Sequence, residues 1–479
     1  MNVALSQNQK HLIDQIAQKE GFKYYKLSLE RGSLKGDGYM GTITVITVEE
    51  SLTKKKIHLV LKAAQTGDQL REKAPIRSAF IRENFIYNVV FKEFSELQKE
   101  YNVEEVFDGT AKYYGGLGDT NEECLVLENL KEVGFTMWNR QKPMDSQHVE
   151  AVMTQYGKLH ALSYAFKKLK PEKYDDISKN LRNIFENIMS EQEVKESTVP
   201  VMERALKAVH GNERAIAGLK TFFDNLYIFF EDCLQVKDKY TIIIHGDCWC
   251  NNIMFRYEGT GTQKPSKVYL LDWQLSSTGS PILDISYFFY ACSSKHCIDN
   301  YKSFLKVYYD SLSSMLKQFG VKIEEVMSFE DLQLQWRIYS KYGMYMAILI
   351  IKLMLAKQEE APELEEMLKE NKNVMDMFDV EISQEEEYNE RISNIINHMV
   401  YNENMSSMLE QFGVKVEEIM SFQELEQQWQ IYSKFGMYTA ILLIKMMLTK
   451  QEQAPEWKEL VKENKTRMDM FHSKISNEE

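Results

Sequence analysis

At 479 residues the chain is longer than a single hydrophobic core normally grows, so two or more core-bearing units are expected. A hydrophobic share of 44%, an aromatic share of 12% and only eight prolines exclude a disordered chain. A formal charge of -13 with acids and bases interspersed excludes a basic stripe for a nucleic-acid backbone, and six cysteines are too few for a disulfide scaffold.

The first twenty residues lack a basic start, an apolar run and a small-residue cleavage site, so they read as a short amphipathic helix and the chain is expected in the reducing cytoplasm. From Gly36 to Ala64 a glycine-bearing turn precedes two β-branched runs, Thr42 to Val48 and Ile57 to Leu61, which predict a hairpin. The turn, Gly36-Asp-Gly38-Tyr-Met-Gly41, has a form whose backbone amides can approach nucleotide phosphates. Its glycines come before a strand, whereas a dinucleotide fingerprint or a Walker loop would open a helix.

Lys62 ends the second strand. Apolar residues at helical spacing from Ser78 to Tyr101 then predict a helix carrying Glu83, so the order suits the Lys and Glu ion pair that positions phosphates in kinases. The apolar strand Cys124 to Glu128 and the connector from Asn129 to Gly134 form a hinge-like segment, with Glu128 and Leu130 as candidate cofactor contacts. Helices are expected to dominate beyond it.

The strongest signal is His245-Gly-Asp247-Cys-Trp-Cys-Asn-Asn252, because it reproduces the Asp-to-Asn spacing of a kinase catalytic loop. Asp247 is the candidate base, His245 a second candidate catalytic residue, and Asn252 a candidate metal ligand. Asp and Asn are also common turn residues, so this segment alone does not decide the matter. One short hairpin later, Leu271-Asp272-Trp273-Gln274 stands where a kinase carries its metal-binding Asp-Phe-Gly, which makes Asp272 the second candidate ligand. Cys248 and Cys250 have no second cluster of ligands and read as packing residues. The most apolar window, Met346 to Leu355, is half the roughly 20 residues a bilayer requires and reads as a buried helix.

In the last third, Leu312 to Phe378 recurs at Met405 to Phe471 with roughly two thirds of paired positions identical. Two copies are too few for a solenoid, so a duplicated helical appendage is expected.

Together these residues resemble the ecdysteroid kinase-like, or CHK kinase-like, family, related to choline kinases and aminoglycoside phosphotransferases. The carrying motifs are Gly36 to Tyr39, Lys62, Phe80-x-x-Glu83-x-x-x-Tyr87, Leu125 to Leu130 with Gly134-Phe135, His245 to Trp249 with Asn252 to Phe255, and Leu271 to Gln274 with Ser280-Pro-x-x-Asp284. The resemblance implies an α+β, bilobal protein-kinase-like fold, with a small β-rich N-lobe over 1–130 and a large helical C-lobe over 131–404; the extra repeat copy over 405–479 lies beyond the family's usual end. It also implies ATP and Mg²⁺ as cofactors and a small hydroxylated molecule, such as an ecdysteroid, as acceptor. Two positions depart from the usual pattern, Trp273 in place of Phe and Asn129 in place of Asp, and neither is a chemical group of the core site. A protein kinase is disfavoured, because Gly246 replaces the Arg of His-Arg-Asp and Pro281 and Asp284 follow Asp272 too closely for an activation loop. The remaining alternative is a small-molecule binder that keeps the fold without catalysis.

Overall fold

The computed structural model describes residues 4–32, 41–67, 71–72, 74–182, 191–235, 238–259, 264–362 and 378–411. Gly36, Gly38 and nearly all of the second repeat copy lie outside the described residues.

The chain begins with helix α1, Gln7–Lys19, opened by a capping box in which Ser6 and Gln9 satisfy each other's backbone amides. Five antiparallel strands follow: β1 (Tyr25–Arg31), β2 (Gly41–Glu50), β3 (Lys56–Ala64), β4 (Tyr113–Leu117) and β5 (Cys124–Glu128). They form one sheet in the order β1-β2-β3-β5-β4. Strand alternation divides its two faces. Ile46, Val48, Leu59, Leu61, Cys124 and Val126 pack with Ile13, Ile16 and Ala17 of α1, while Leu125 and Leu127 join the larger core on the other side. Lys62 pairs with Leu125 in register and therefore shares that second face.

Between β3 and β4 runs the expected helix, Ile76 to Glu100. A π-type turn at Ile86–Val90 divides it into α2 (Ile76–Phe85) and α3 (Phe91–Glu100). Aromatic packing fixes it: Phe80 and Phe94 are buried, and Tyr87 stacks on Tyr113 with ring centres 5.5 Å apart.

Beyond β5 the chain is mainly helical: β6 (Phe135–Met137), α4 (Ser146–Leu169), α5 (Pro171–Ser178), α6 (Glu191–Ala208), α7 (Glu213–Asp224) and α8 (Leu226–Gln235). Short strands β7 (Ile242–Ile244), β8 (Ile253–Arg256), β9 (Lys267–Leu270) and β10 (Ser277–Gly279) then carry the site loops, with β7 paired to β10 and β8 set between β6 and β9. Helices α9 (Pro281–Cys292), α10 (Lys295–Asp299), α11 (Tyr301–Gln318), α12 (Phe329–Leu355) and α13 (Glu385–Gln411) complete the described fold.

Helices α9 and α12 cross closely at Gly343, where an added Cβ would lie 2.3 Å from the carbonyl group of Ser286. Helix α12, which contains the expected buried window, is the one described helix long and apolar enough to cross a membrane, and 78% of its most apolar window is buried in the fold. Met1–Val400 forms one compact unit and Tyr401–Glu479 a second.

Candidate active site

Four segments converge at the N-terminal sheet's inner face: the end of β3, the last turn of α2, and the turns after β7 and β9. Lys62 Nζ lies 2.8 Å from Glu83 Oε2 and 2.7 Å from Asp272 Oδ1, so one ammonium bridges the two acids. The other oxygen of Glu83, Oε1, accepts the backbone N–H of Trp273 at 3.3 Å. Burial alone would lower the pKa of Lys62, but Asp272 and Glu83 outweigh it and raise the value, so the ammonium stays charged. Burial pushes Glu83 up against the pull of Lys62, with the charge of Asp272 adding to the rise.

The loop after β7 holds Asp247. Its Oδ2 accepts from Asn252 Nδ2 at 2.7 Å and its Oδ1 from the Tyr287 hydroxyl at 3.3 Å. Burial and then the negative charge of Asp272 push its pKa up to about 7, against the hydrogen bonds from Asn252, Trp249 and Tyr287. Two carboxylates thus share the Lys62 ammonium, and Asp247 feels the charge of Asp272 as a third acid, a local excess of acids that suits a cation.

The loop's shape has a physical cause at two positions. Gly246 has φ +87°, and a Cβ there would lie 2.3 Å from Leu275 O, so a side chain is excluded on both backbone and steric grounds. Asp284, on α9, receives the backbone N–H of His245 at 2.7 Å, that of Gly246 at 2.8 Å, and His160 Nε2 at 3.1 Å. Burial would raise the pKa of Asp284, but the His160 bond and the loop amides hold it below the usual carboxylate range. His160 is fixed in turn by the Tyr308 hydroxyl at 2.9 Å. Asp284 belongs to a motif visible in the sequence, whereas His160, Tyr287 and Tyr308 carry no local signal and meet the loop only through the fold.

His245, expected among the catalytic residues, is wholly buried, with ring contacts to Leu271, Tyr156 and Cys248. Its Nε2 is 2.8 Å from Leu271 O, which can only accept, so that nitrogen carries the proton. Its own carbonyl accepts from Ser276 Oγ at 3.2 Å, and its ring meets Trp273 edge-on at 4.5 Å. It ties the two site turns together, and burial lowers its pKa so that it remains neutral.

Among the other expected residues, Gly41 opens β2 where a Cβ would lie 2.8 Å from Ala63 O and 2.9 Å from Phe80 Cζ, so the bare backbone is required. At the hinge-like segment, the Glu128 and Asn129 amides already bond Lys112 O and His58 O, and the Leu130 carbonyl accepts from Gly134. Asn129 caps the short turn that follows through its side-chain oxygen, which an Asp would do equally well. Cys248 and Cys250 are buried packing thiols, and no cluster of three His, Cys, Asp or Glu able to hold a metal occurs among the described residues.

That last fact does not remove the expected pair Asn252 and Asp272. Mg²⁺ usually binds one or two carboxylates and completes its shell with water and phosphate oxygens, so a three-ligand protein cluster is not required. Asp272 Oδ1 is buried with Lys62 as its one charged partner, and Asp272 and Asn252 can each offer a side-chain oxygen. The residues present therefore fit a hard divalent cation.

A five-stranded sheet with a helix-borne glutamate on its lysine, set over a helical part that presents an aspartate loop, defines a kinase-like phosphotransferase site on a protein-kinase-like fold. The chain belongs to the ecdysteroid kinase-like family, which it matches over residues 35–321. No curated protein matches it. Solved structures similar to it include the GDP complex of wild-type aminoglycoside 2'-phosphotransferase-IIIa, at 12% identity over 83% of this chain and 99% of that one, TM-score 0.35. A Plasmodium vivax ethanolamine kinase is similar at 14% identity over 72% and 89%, TM-score 0.33. A glucosamine kinase in complex with glucosamine, ADP and inorganic phosphate is similar at 12% identity over 76% and 86%, TM-score 0.29.

Proposed function

We propose that this protein transfers the γ-phosphoryl group of ATP to a hydroxyl of a small, largely apolar molecule, an ecdysteroid or a compound like it. The observation that carries the reading is the pairing of Lys62 with Glu83 and Asp272 beside an Asp247 held by Asn252 and Tyr287. Phosphoryl transfer requires little covalent work from a protein: it requires charge at the phosphates, a base at the acceptor and fixed geometry.

Each requirement has a residue. Lys62, kept charged by its two acids, exchanges part of that pairing for phosphate oxygens when nucleotide binds, while Gly36, Gly38 and Gly41 bring backbone amides close to the same phosphates. Glu128 and Leu130 border the nucleotide base. Asn252 and Asp272 would hold Mg²⁺, which would supply neutralisation of the phosphate charge. Asp247, poised near neutrality, takes the proton of the acceptor hydroxyl as its oxygen bonds to the γ-phosphorus and the bond to the ADP oxygen breaks. His245 and Asp284 do no chemistry themselves and hold the loop.

The six cysteines are all unpaired and buried, which supports a reducing compartment such as the cytoplasm. The second repeat copy, from Met405 onward, is read as an appendage dispensable for phosphotransfer. Purified protein incubated with Mg-ATP and a panel of hydroxylated steroids should yield a phosphorylated product detectable by mass spectrometry. Absence of any product across such a panel, with the acceptors shown to bind, would favour a non-catalytic binder instead.

A further inference from the structure

Arg82 and Glu83 are neighbours on α2, and both reach the turn that carries Asp272. Glu83 accepts the N–H of Trp273, the residue after Asp272, and Arg82 Nη1 donates to the carbonyl of Ser276 at 3.0 Å, where the turn ends. One residue grips the beginning of the turn by accepting and the other grips its end by donating. The second amino group of Arg82, Nη2, donates to Arg182 O after α5, which anchors the guanidinium to the helical part of the fold as well.

The turn has reason to need holding. Asp272 adopts φ 62° and ψ 77°, a left-handed conformation that costs a residue with a Cβ about 1 kcal/mol or more. On its other side the turn is tied to the catalytic loop by His245, through Leu271 O and Ser276 Oγ. Arg82 is also not placed as a solvated surface arginine would be. It is half-buried, its Nε has no hydrogen-bond partner among the described residues, and burial pulls its pKa down to about 10. A cation desolvated to reach two carbonyls needs a reason beyond surface solubility.

We propose that Arg82 is a positioning residue that locks the Asp272 turn against α2, so that Lys62, Glu83 and Asp272 come into register together. Its effect on turnover rests on the phosphotransfer reading, whereas the lock is a property of the free protein. Removing the guanidinium frees the end of the turn and lets Asp272 relax from its left-handed conformation. The Lys62 ammonium then loses one of its two acids, and the site loses its alignment without losing its fold.

The test compares Arg82→Met and Arg82→Lys in the full-length chain. Backbone hydrogen exchange of the nucleotide-free protein is read at Trp273 to Ser276 and, as an internal control, at Ile242 to Ile244. Arg82→Met should speed exchange in the turn about tenfold or more while leaving the control strand unchanged, and Arg82→Lys, which keeps the charge and one donor, should fall between. In the wild-type assay that yields product, kcat for Arg82→Met should fall at least tenfold. Combined with Glu83→Gln, it should cost less than the product of the two single effects, because both act on one turn. Unchanged exchange at the turn, or an equal rise in the turn and the control strand, would overturn the proposal. A wild-type protein that phosphorylates nothing would defeat the phosphotransfer reading, and the exchange experiment would still decide the lock.

Discussion

Replacing Asp284 with Asn tests whether the catalytic loop is held from beneath. The substitution keeps volume and removes one acceptor: Asp284 receives three donors, the amides of His245 and Gly246 and Nε2 of His160. If the new amide nitrogen takes the place of Oδ1, it opposes the Gly246 N–H. If it takes the place of Oδ2, His160 can change tautomer and accept from it, yet the His245 N–H remains opposed. In either arrangement one buried backbone donor is left without an acceptor, at a cost of about 1–3 kcal/mol, and the remaining bonds lose their charge assistance. Because the loop carries Asp247 one residue beyond Gly246, that energy is available to displace the base. A fall in kcat of about ten- to a hundredfold follows, each 1.4 kcal/mol being a factor of ten. Lys62 and Glu83 touch neither Asp284 nor the loop amides, so the KM for ATP should change little. Steady-state kinetics with a confirmed acceptor gives the answer. A kcat within twofold of wild type, with the variant folded, would refute the reasoning.

Gly246→Ala meets both a positive φ and a Cβ position 2.3 Å from Leu275 O, and should destabilise the protein by about 1–3 kcal/mol or prevent folding, as read by urea unfolding. His398, whose Nδ1 lies 3.2 Å from the Tyr290 hydroxyl, has its pKa lowered by burial to about 4. Its unfolded form takes up a proton near pH 6.5, so stability is full above that pH and declines as pH falls from 6.5 towards 4, by up to about 3 kcal/mol for this group. His398→Phe should flatten that part of a stability-pH curve, and an unchanged slope would contradict the assignment. Ending the chain at Asn404 should leave activity and soluble yield intact, since Met1–Val400 is a compact unit by itself. Collapse or loss of activity on truncation would show that the second copy is structural.

The sequence was most readable where local pattern and chemistry coincide. Lys62 closes an alternating strand and Glu83 sits on an amphipathic helix, so their meeting follows from register and helical phase. Strands β1 and β4 were harder to read. β1 lies at a sheet edge with no residue fully buried, which leaves its apolar positions diluted by charge. β4 reads Tyr113-Tyr-Gly-Gly-Leu117 and looks like a turn, yet a Cβ on Gly116 would fall 2.6 Å from Cys124 O, so the glycine permits close approach within the sheet. The supports of the catalytic loop come from α4, α9 and α11, and His160 and Tyr308 stand 124 and 24 residues from Asp284, separations at which no spacing rule operates. The packing of His245 has the same origin, because its ring neighbours Tyr156 and Trp273 come from distant parts of the chain. The repeat gains meaning from the fold: every residue that α12 buries recurs unchanged in the second copy except Ile350 and Leu353, which become Leu443 and Met446.

On the proposed reading, Asp247 takes the proton of the acceptor hydroxyl. The most direct measurement is product formation by Asp247→Asn with Mg-ATP and a confirmed acceptor, alongside calorimetric binding of both ligands. Retained binding with turnover reduced by about a hundredfold or more is expected of a lost general base. Turnover equal to wild type would contradict the assignment of Asp247.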